Sequence, residues 1–358
     1  MRGAAARDGS QEFAMDFQPR VSRYVELVAH PEGTLKSSHF AIAEAPLPPL
    51  APHQVLVRNR WFRVSVSTRL MASRDAKEIN GIPFPPLKPG DALADGAIGE
   101  VIAAAPESGL RVGETVLHRR GWRDYAVVDA AQCTVLRRDP IEPAAYLGHG
   151  WTAYAALTRG IQVKPGDTVF VSSGAGAIGS MAGQIARRLG AGRVIGSTRS
   201  PDKAAWMKEA LGYDTVIVDD NRPFVTQLGD VAPDGIDVFV DMVGGEQLSA
   251  AVTLAREGAR FVILGALVAE LRAERSSSIA PVEIDTFRLP IKGITLRGYS
   301  ADDDKPEAFD EWLQRLDEWR DEQPVQLTCT TFSGLEQGPA ALQEACAGKL
   351  KGVVMVEL

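Results

Sequence analysis

"KPGDTVFVSSGAGAIGSMAGQIARRLGAGRVIGSTRSPDK", from Lys164 to Lys203, decides how the rest of the chain is read. "KPGD" is turn chemistry, "TVFVSS" a short buried strand, "SMAGQIARRLG" a helix of good formers, and "RVIGST" a second strand. Gly174, Gly176 and Gly179 stand between the first strand and the helix in G-x-G-x-x-G spacing. Alone the spacing is a weak signal. Between a strand and a helix the three glycines allow, in turn, a tight turn, close backbone approach to a pyrophosphate, and close packing of helix on strand. The helix N-terminus adds free N–H groups and the positive end of a dipole. The stretch therefore predicts a dinucleotide site, with Gly174, Gly176, Ala177, Ile178 and Gly179 around the pyrophosphate.

The second strand predicts which dinucleotide. An NAD site usually carries Asp or Glu about twenty residues past the glycines, for the ribose hydroxyls. Here "GSTRSPDK" supplies Ser197, Thr198, Arg199 and Lys203 instead, with no acid at the strand end. Two cations and two hydroxyls suit a 2′-phosphate, so NADPH is the expected cofactor. The alternative is that both cations are solvated surface charge.

Outward from this stretch, the pattern divides the chain. Residues 16–140 read as short strands broken by Pro and Gly ("HQVLVRNRWFRVSV", "AIGEVIAA", "ETVLHRR", "WRDYAVVD"), a β-rich domain of small-barrel kind. Residues 141–305 alternate strand and helix, which predicts a doubly wound parallel (Rossmann) sheet covered on both faces. "PAAYLGHGWTAYAALTRG" opens that region as one expected helix ending at Gly160, and "ITLRGYS" is its last strand. Residues 306–358 hold an acidic, Trp-bearing amphipathic helix and then a strand, helix, strand tail. Residues 1–15 read as a translated cloning remnant or a natural extension.

Bulk properties exclude several classes. A chain of 358 residues with 45% hydrophobic and 24% charged residues is an ordinary globular composition with room for two domains. A net charge of -7 argues against a nucleic-acid partner. No apolar run approaches the ~18 residues of a membrane span. Cys133, Cys329 and Cys346 lie far apart, which suits a reducing cytoplasm and supplies no thiolate zinc site.

The order of motifs resembles the medium-chain dehydrogenase/reductase superfamily across nearly all of residues 20–358. Within it, "LGHGWTAYAALTRGIQVKPGDTVFVSSGAGAIGSMAGQIA", "GRVIGSTRSPDKAAWMKEALGYD" and "VGGE" at Val243–Glu246 are similar to the zinc-independent, NADPH-dependent double-bond reductases. That group includes leukotriene B4 dehydrogenase/prostaglandin reductase and curcumin reductase. The resemblance implies a Rossmann domain inserted in a GroES-like β-barrel, with the tail returning to the barrel. It implies a homodimer paired through "ITLRGYS", and Lys203 at the 2′-phosphate. It also puts Thr152, Val243, Gly265, Ala266 and Lys349 at the cofactor. "DGAIGEV" stands where zinc members carry G-H-E, and the four-cysteine lobe is absent, so no metal is expected and His118 and His149 read as ordinary polar residues.

The substrate side departs from the family. Its V-D-P-Y-M-R is matched by Val64–Arg69, so Ser67 stands at the tyrosine and only Val64 and Arg69 persist. A second family tyrosine falls near Glu270, which is expected at the surface, with pocket lining as the alternative. A cofactor-contacting Asn is matched by Lys349, and the Asn of D-N-V-G-G by Met242. The implied activity is hydride transfer to the β-carbon of an α,β-unsaturated carbonyl. Ser65, Ser67 and Thr68, with Arg69 behind them, and Tyr154 and Tyr299 are candidate donors to the carbonyl oxygen. His149 is a packing residue or a proton shuttle. Quinone reduction, enoyl-thioester reduction and non-catalytic NADPH binding remain as alternatives.

Overall fold

The strand Gln54–Val64 is the spine of the first domain. It pairs antiparallel with Ala97–Ala104, with Tyr125–Asp129 and with the C-terminal strand Val353–Glu357. Its inward residues Val55, Val57 and Phe62 are fully buried, as alternation on a half-covered sheet requires. The computed structural model describes residues 19–79, 82, 85–136, 141–301, 304, 308–322 and 324–358. The suspected remnant 1–15 lies outside the described residues.

Six parallel strands form the second sheet. They are β1 (Thr168–Val171), β2 (Arg193–Thr198), β3 (Thr215–Val218), β4 (Ile236–Asp241), β5 (Ala255–Ile263) and β6 (Thr295–Gly298), in spatial order 3-2-1-4-5-6. This is the Rossmann order, and it opens a crevice at the carboxyl ends of β1 and β4, where the winding reverses. Phe170, Val171, Phe239, Val240, Phe261 and Val262 are fully buried, because helices cover both faces of the sheet.

The single helix expected over "PAAYLGHGWTAYAALTRG" is broken. Pro143–Leu147 and Gly150–Ala155 are separate helical pieces, and Ala156–Gly160 widens into one π-helical turn. Gly148 is extended, at φ -75° and ψ 172°, and ends the first piece. A Cβ on Gly150 would lie 2.2 Å from Cζ2 of Trp312. The break thus seats the fully buried indole of Trp312, whose Nε1 donates to Ala145 O at 3.3 Å. Trp312 belongs to the helix Ala308–Glu322, and Tyr154, Trp312 and Trp319 meet in tilted and edge-on contacts with centroids 6.0–6.5 Å apart. Phe309, Leu313 and Leu316 of that helix pack against the Rossmann core and against the cluster of Ile98, Leu136 and Leu147. The helix is a strap over the domain junction.

The tail then returns to the barrel. Cys329–Ser333 lies parallel to Val353–Glu357, which completes the sheet against Gln54–Val64. Just before that strand, Gly352 N–H donates to Ala175 O at 3.0 Å, inside the glycine-rich turn. On the barrel side, His118 is buried, 2.9 Å from Asn59 Oδ1, and accepts from the Arg120 N–H at 3.0 Å. Burial, with Arg123 and Arg120 nearby, pushes its pKa down to about 3.

Trp312→Ala should lower the unfolding free energy by about 3–5 kcal/mol, read from the urea midpoint, because it empties the junction between two cores. His118 predicts an acid effect. Its folded pKa lies below the unfolded value, so the unfolded chain binds the extra proton and stability falls as pH drops below about 6.5. In His118→Gln the slope of unfolding free energy between about pH 6 and about pH 4 should diminish by about 1.4 kcal/mol per pH unit.

Candidate active site

The cradle is built by close approach. After β1 the chain turns at Ser173, whose φ of 50° lies in the left-handed region. A Cβ on Gly179 would meet Ser173 O at 2.3 Å and Gly174 Cα at 2.7 Å, so the helix Gly179–Arg188 starts hard against the turn. Gly174 has Met207 at 2.3 Å from the same hypothetical atom. Among the described residues, the N–H groups of Ile178 and Gly179 find no acceptor, as expected at a helix start, while that of Ala177 is turned to the Gly176–Gly352 bridge. These free donors, close to one another, fit a pyrophosphate.

Ser197 does not face outward from the end of β2. It is buried, its Oγ donates to Gln247 Oε1 at 2.8 Å and accepts from the Ser173 N–H at 3.2 Å, and its carbonyl accepts from Gly174 N–H at 2.9 Å. Ser197 therefore knits the turn from behind. Thr198 is half-buried, with Oγ1 accepting from Ser200 N–H at 3.3 Å. Arg199 is exposed, and its guanidinium lies against Gly348: a Cβ there would be 2.6 Å from Nη2. Lys203 Nζ donates to the carbonyls of Gly348 and Leu350, both at 2.6 Å. Burial, then Arg199 and Lys351, push its pKa below the usual lysine range. Lys351, held 4.9 Å over the Trp206 ring, is the third cation of the group, and sequence reasoning missed it because it arrives from the tail. Three like charges gathered beside the cradle could hold an anion. Lys349 lies on the same tail turn, exposed.

Around the crevice mouth, β4 ends at Asp241, buried, whose Oδ1 accepts from Ser172 Oγ and from the N–H groups of Val243 and Gly244. Burial raises its pKa while those donors oppose the shift. Met242 follows it, buried, and Gly265 and Ala266 follow β5, half-buried. Thr152 Oγ1 is 3.4 Å from His149 Nδ1. Burial, with Arg63 adding, pushes the His149 pKa down to about 3, so it stays neutral at physiological pH and packs rather than shuttling protons.

The barrel contributes the loop before the short helix Thr68–Met71. Arg69 is buried and its Nη2 reaches across to the carbonyls of Arg272 and Ala273, and to Gly33 O at 3.2 Å. It clamps the segment after β5 onto the barrel. Thr68 is buried, and its Oγ1 has no partner. Ser67 Oγ is 3.4 Å from Glu270 Oε2. Glu270 is half-buried rather than at the surface, because the Arg69 clamp draws its loop down onto the barrel. Tyr154 and Tyr299 are engaged elsewhere: Tyr154 donates to Glu311 Oε1 at 2.6 Å on the strap helix, and Tyr299 bonds Asp304. Among the described residues no three His, Cys, Asp or Glu side chains stand close enough to hold a metal ion.

Known proteins match this arrangement. Residues 23–136 match the family described as "N-terminal domain of oxidoreductase", and residues 177–318 the family described as "Zinc-binding dehydrogenase". Prostaglandin reductase 1 of Bos taurus is 30% identical over 343 residues, covering 92% of this chain and 97% of that protein. NADPH-dependent curcumin reductase of Escherichia coli is 26% identical, over 96% of this chain and 99% of that protein. The crystal structure of CurA in complex with NADPH from Vibrio vulnificus superposes with a TM-score of 0.82 at 29% identity, over 94% of this chain and 98% of that one. With a Rossmann sheet set between the two parts of a barrel, and relatives of this similarity, the chain belongs to the zinc-independent double-bond reductase group of the medium-chain dehydrogenase/reductase superfamily.

Proposed function

We propose that this protein is an NADPH-dependent oxidoreductase that reduces the activated C=C bond of an α,β-unsaturated carbonyl. The observation that carries the cofactor is the cation group of Arg199, Lys203 and Lys351 beside a glycine cradle, with no acid at the end of β2. Names of relatives support the reaction: prostaglandin reductase 1, curcumin reductase, and the 2-alkenal reductase of Nicotiana tabacum at 27% identity.

When bound, the reduced nicotinamide supplies a hydride for the substrate's β-carbon. The chain's own residues do the rest. Ile178 and Gly179 present N–H groups to the pyrophosphate, with Ala177 beside them, and Arg199, Lys203 and Lys351 hold the 2′-phosphate, with Thr198 beside them. Thr152, Val243, Gly265, Ala266 and Lys349 line the path toward the carboxyl ends of β4 and β5. Negative charge develops on the carbonyl oxygen, and Thr68 faces it as a hydroxyl donor, while the Ser67 hydroxyl is directed to Glu270. The unpartnered Thr68 Oγ1 is a donor in want of an acceptor. The strap helix and the Arg69 clamp keep barrel and sheet together and limit water in the cleft.

We also place the protein as a homodimer in a reducing cytoplasm. β6 is an open sheet edge, and Phe287 and Ile291, shortly before it in the chain, are 73% and 67% exposed, an arrangement suited to pairing with a second copy. No helix among the described residues is long and apolar enough to cross a membrane.

The deciding assay follows NADPH oxidation with enones and enals beside quinones; quinones alone supporting turnover would move the assignment to quinone reduction. Arg199→Ala with Lys203→Ala should reduce the preference for NADPH over NADH about 10–100-fold, the range of one or two lost charge-assisted hydrogen bonds. Phe287→Glu with Ile291→Glu should convert a species of twice the chain mass to a monomer in light scattering. A wild type that is already monomeric refutes the pairing.

A further inference from the structure

The two positions where this chain departs from the family's tyrosines come together in space. Ser67 lies on the barrel loop and Glu270 on the turn after β5, 203 residues later, and their side-chain oxygens are 3.4 Å apart. The Glu270 carboxyl is poorly satisfied for a half-buried group. Its other contact is a long one, Ala266 N–H to Oε1 at 3.5 Å, and it makes no ion pair among the described residues. Oε1 would lie 3.8 Å from a Cβ on Gly265, so the carboxyl borders the turn at the carboxyl end of β5, on the side of an open α/β sheet where ligands sit.

Other proton carriers nearby are excluded. Arg69 is turned onto backbone carbonyls. Cys346, from the helix Gly338–Cys346, is pushed up to about 12 by burial, with Glu270 adding and Arg69 opposing. Tyr154 and Tyr299 are bonded to Glu311 and Asp304. Thr68 and Ser67 are hydroxyls that do not titrate in the working range.

We propose that Glu270 is the proton donor of the reduction, and that Ser67 is the positioning residue that aims it into the cleft. The inference rests on the reductase reading above. The hydride forms the new C–H bond at the β-carbon while the π pair moves to the α-carbon and carbonyl oxygen. The O–H bond of Glu270 then breaks and its proton forms the C–H bond at the α-carbon. The carboxylate recovers a proton from water, so each cycle consumes one NADPH and one proton and releases NADP and the saturated carbonyl. Burial raises the Glu270 pKa above the usual carboxylate range, with the Ala266 N–H and Ser67 hydroxyl opposing, and this keeps the donor loaded further toward neutral pH.

The test compares full-length wild type with Glu270→Gln, Glu270→Asp and Ser67→Ala. Wild-type kcat should be flat at low pH and fall about tenfold per pH unit above the Glu270 titration. Glu270→Gln should lose about 100-fold or more in kcat and lack that limb, while binding NADPH as tightly as wild type by fluorescence. Glu270→Asp should recover part of the rate with the limb intact, and Ser67→Ala should move the limb. Independently of turnover, the infrared band of a protonated carboxyl, seen as wild type minus Glu270→Gln, should titrate above the ordinary carboxylate range. A wild type active on enones whose kcat and pH profile are matched by Glu270→Gln overturns the proposal, as does a Glu270 band titrating like a solvated carboxylate. Wild type that binds NADPH but reduces no enone sinks the reductase reading itself.

Discussion

The hydrogen bond from Gly352 N–H to Ala175 O joins two parts of the chain that lie far apart in sequence. One end lies in the glycine-rich turn between β1 and its helix, the other at the start of the strand that closes the barrel sheet. Because Gly352 also forms a bridge with Gly176, the turn cannot shift without pulling on Val353–Glu357 and, through it, on Gln54–Val64. The same tail delivers the carbonyls of Gly348 and Leu350 to Lys203, and the ammonium of Lys351 to the cation group. One backbone contact thus sets the cradle, the cation group and the cleft in register. A rigid connection of this sort matters in an enzyme that must hold two reactants in line, where an error near ~1 Å is costly.

Two further contacts tie the junction together. The indole of Trp312 fills the break at Gly148–Gly150, and the guanidinium of Arg69 takes the carbonyls of Arg272 and Ala273. Both are placed by one domain into the other, so neither domain's site is complete alone. Burial is the first cause of the electrostatic pattern: His118 and His149 are held neutral, while Asp241, Glu270 and Cys346 are biased toward their protonated forms.

Much of this was legible from residue order. Strand, glycines, helix and second strand in close succession allow few arrangements, and right-handed crossovers then dictate a parallel sheet. The barrel strands and the edge strand "ITLRGYS" fell where alternation and turn residues put them. The misread pieces share a cause. The helix over Pro143–Gly160 has uninterrupted apolar period, and only a Trp from residue 312 requires it to break. Ser197 looks like an outward hydroxyl beside Arg199, yet Gln247 captures it. Glu270 looks like surface charge, until a barrel arginine folds its loop inward.

Local sequence determined what depends on neighbours a few residues apart: the glycine turn, the phosphate-binding helix start, the absence of an acid after β2, and the family to which these motifs belong. Tertiary structure decided what depends on distant segments arriving together: Lys351 beside Lys203, the hinge around Trp312, and the meeting of Ser67 with Glu270. The reason is physical. Turn and helix signals act through bonds and dihedrals within one stretch, whereas burial, dielectric and proton affinity are properties of the surroundings, and those surroundings are assembled from segments up to 203 residues apart.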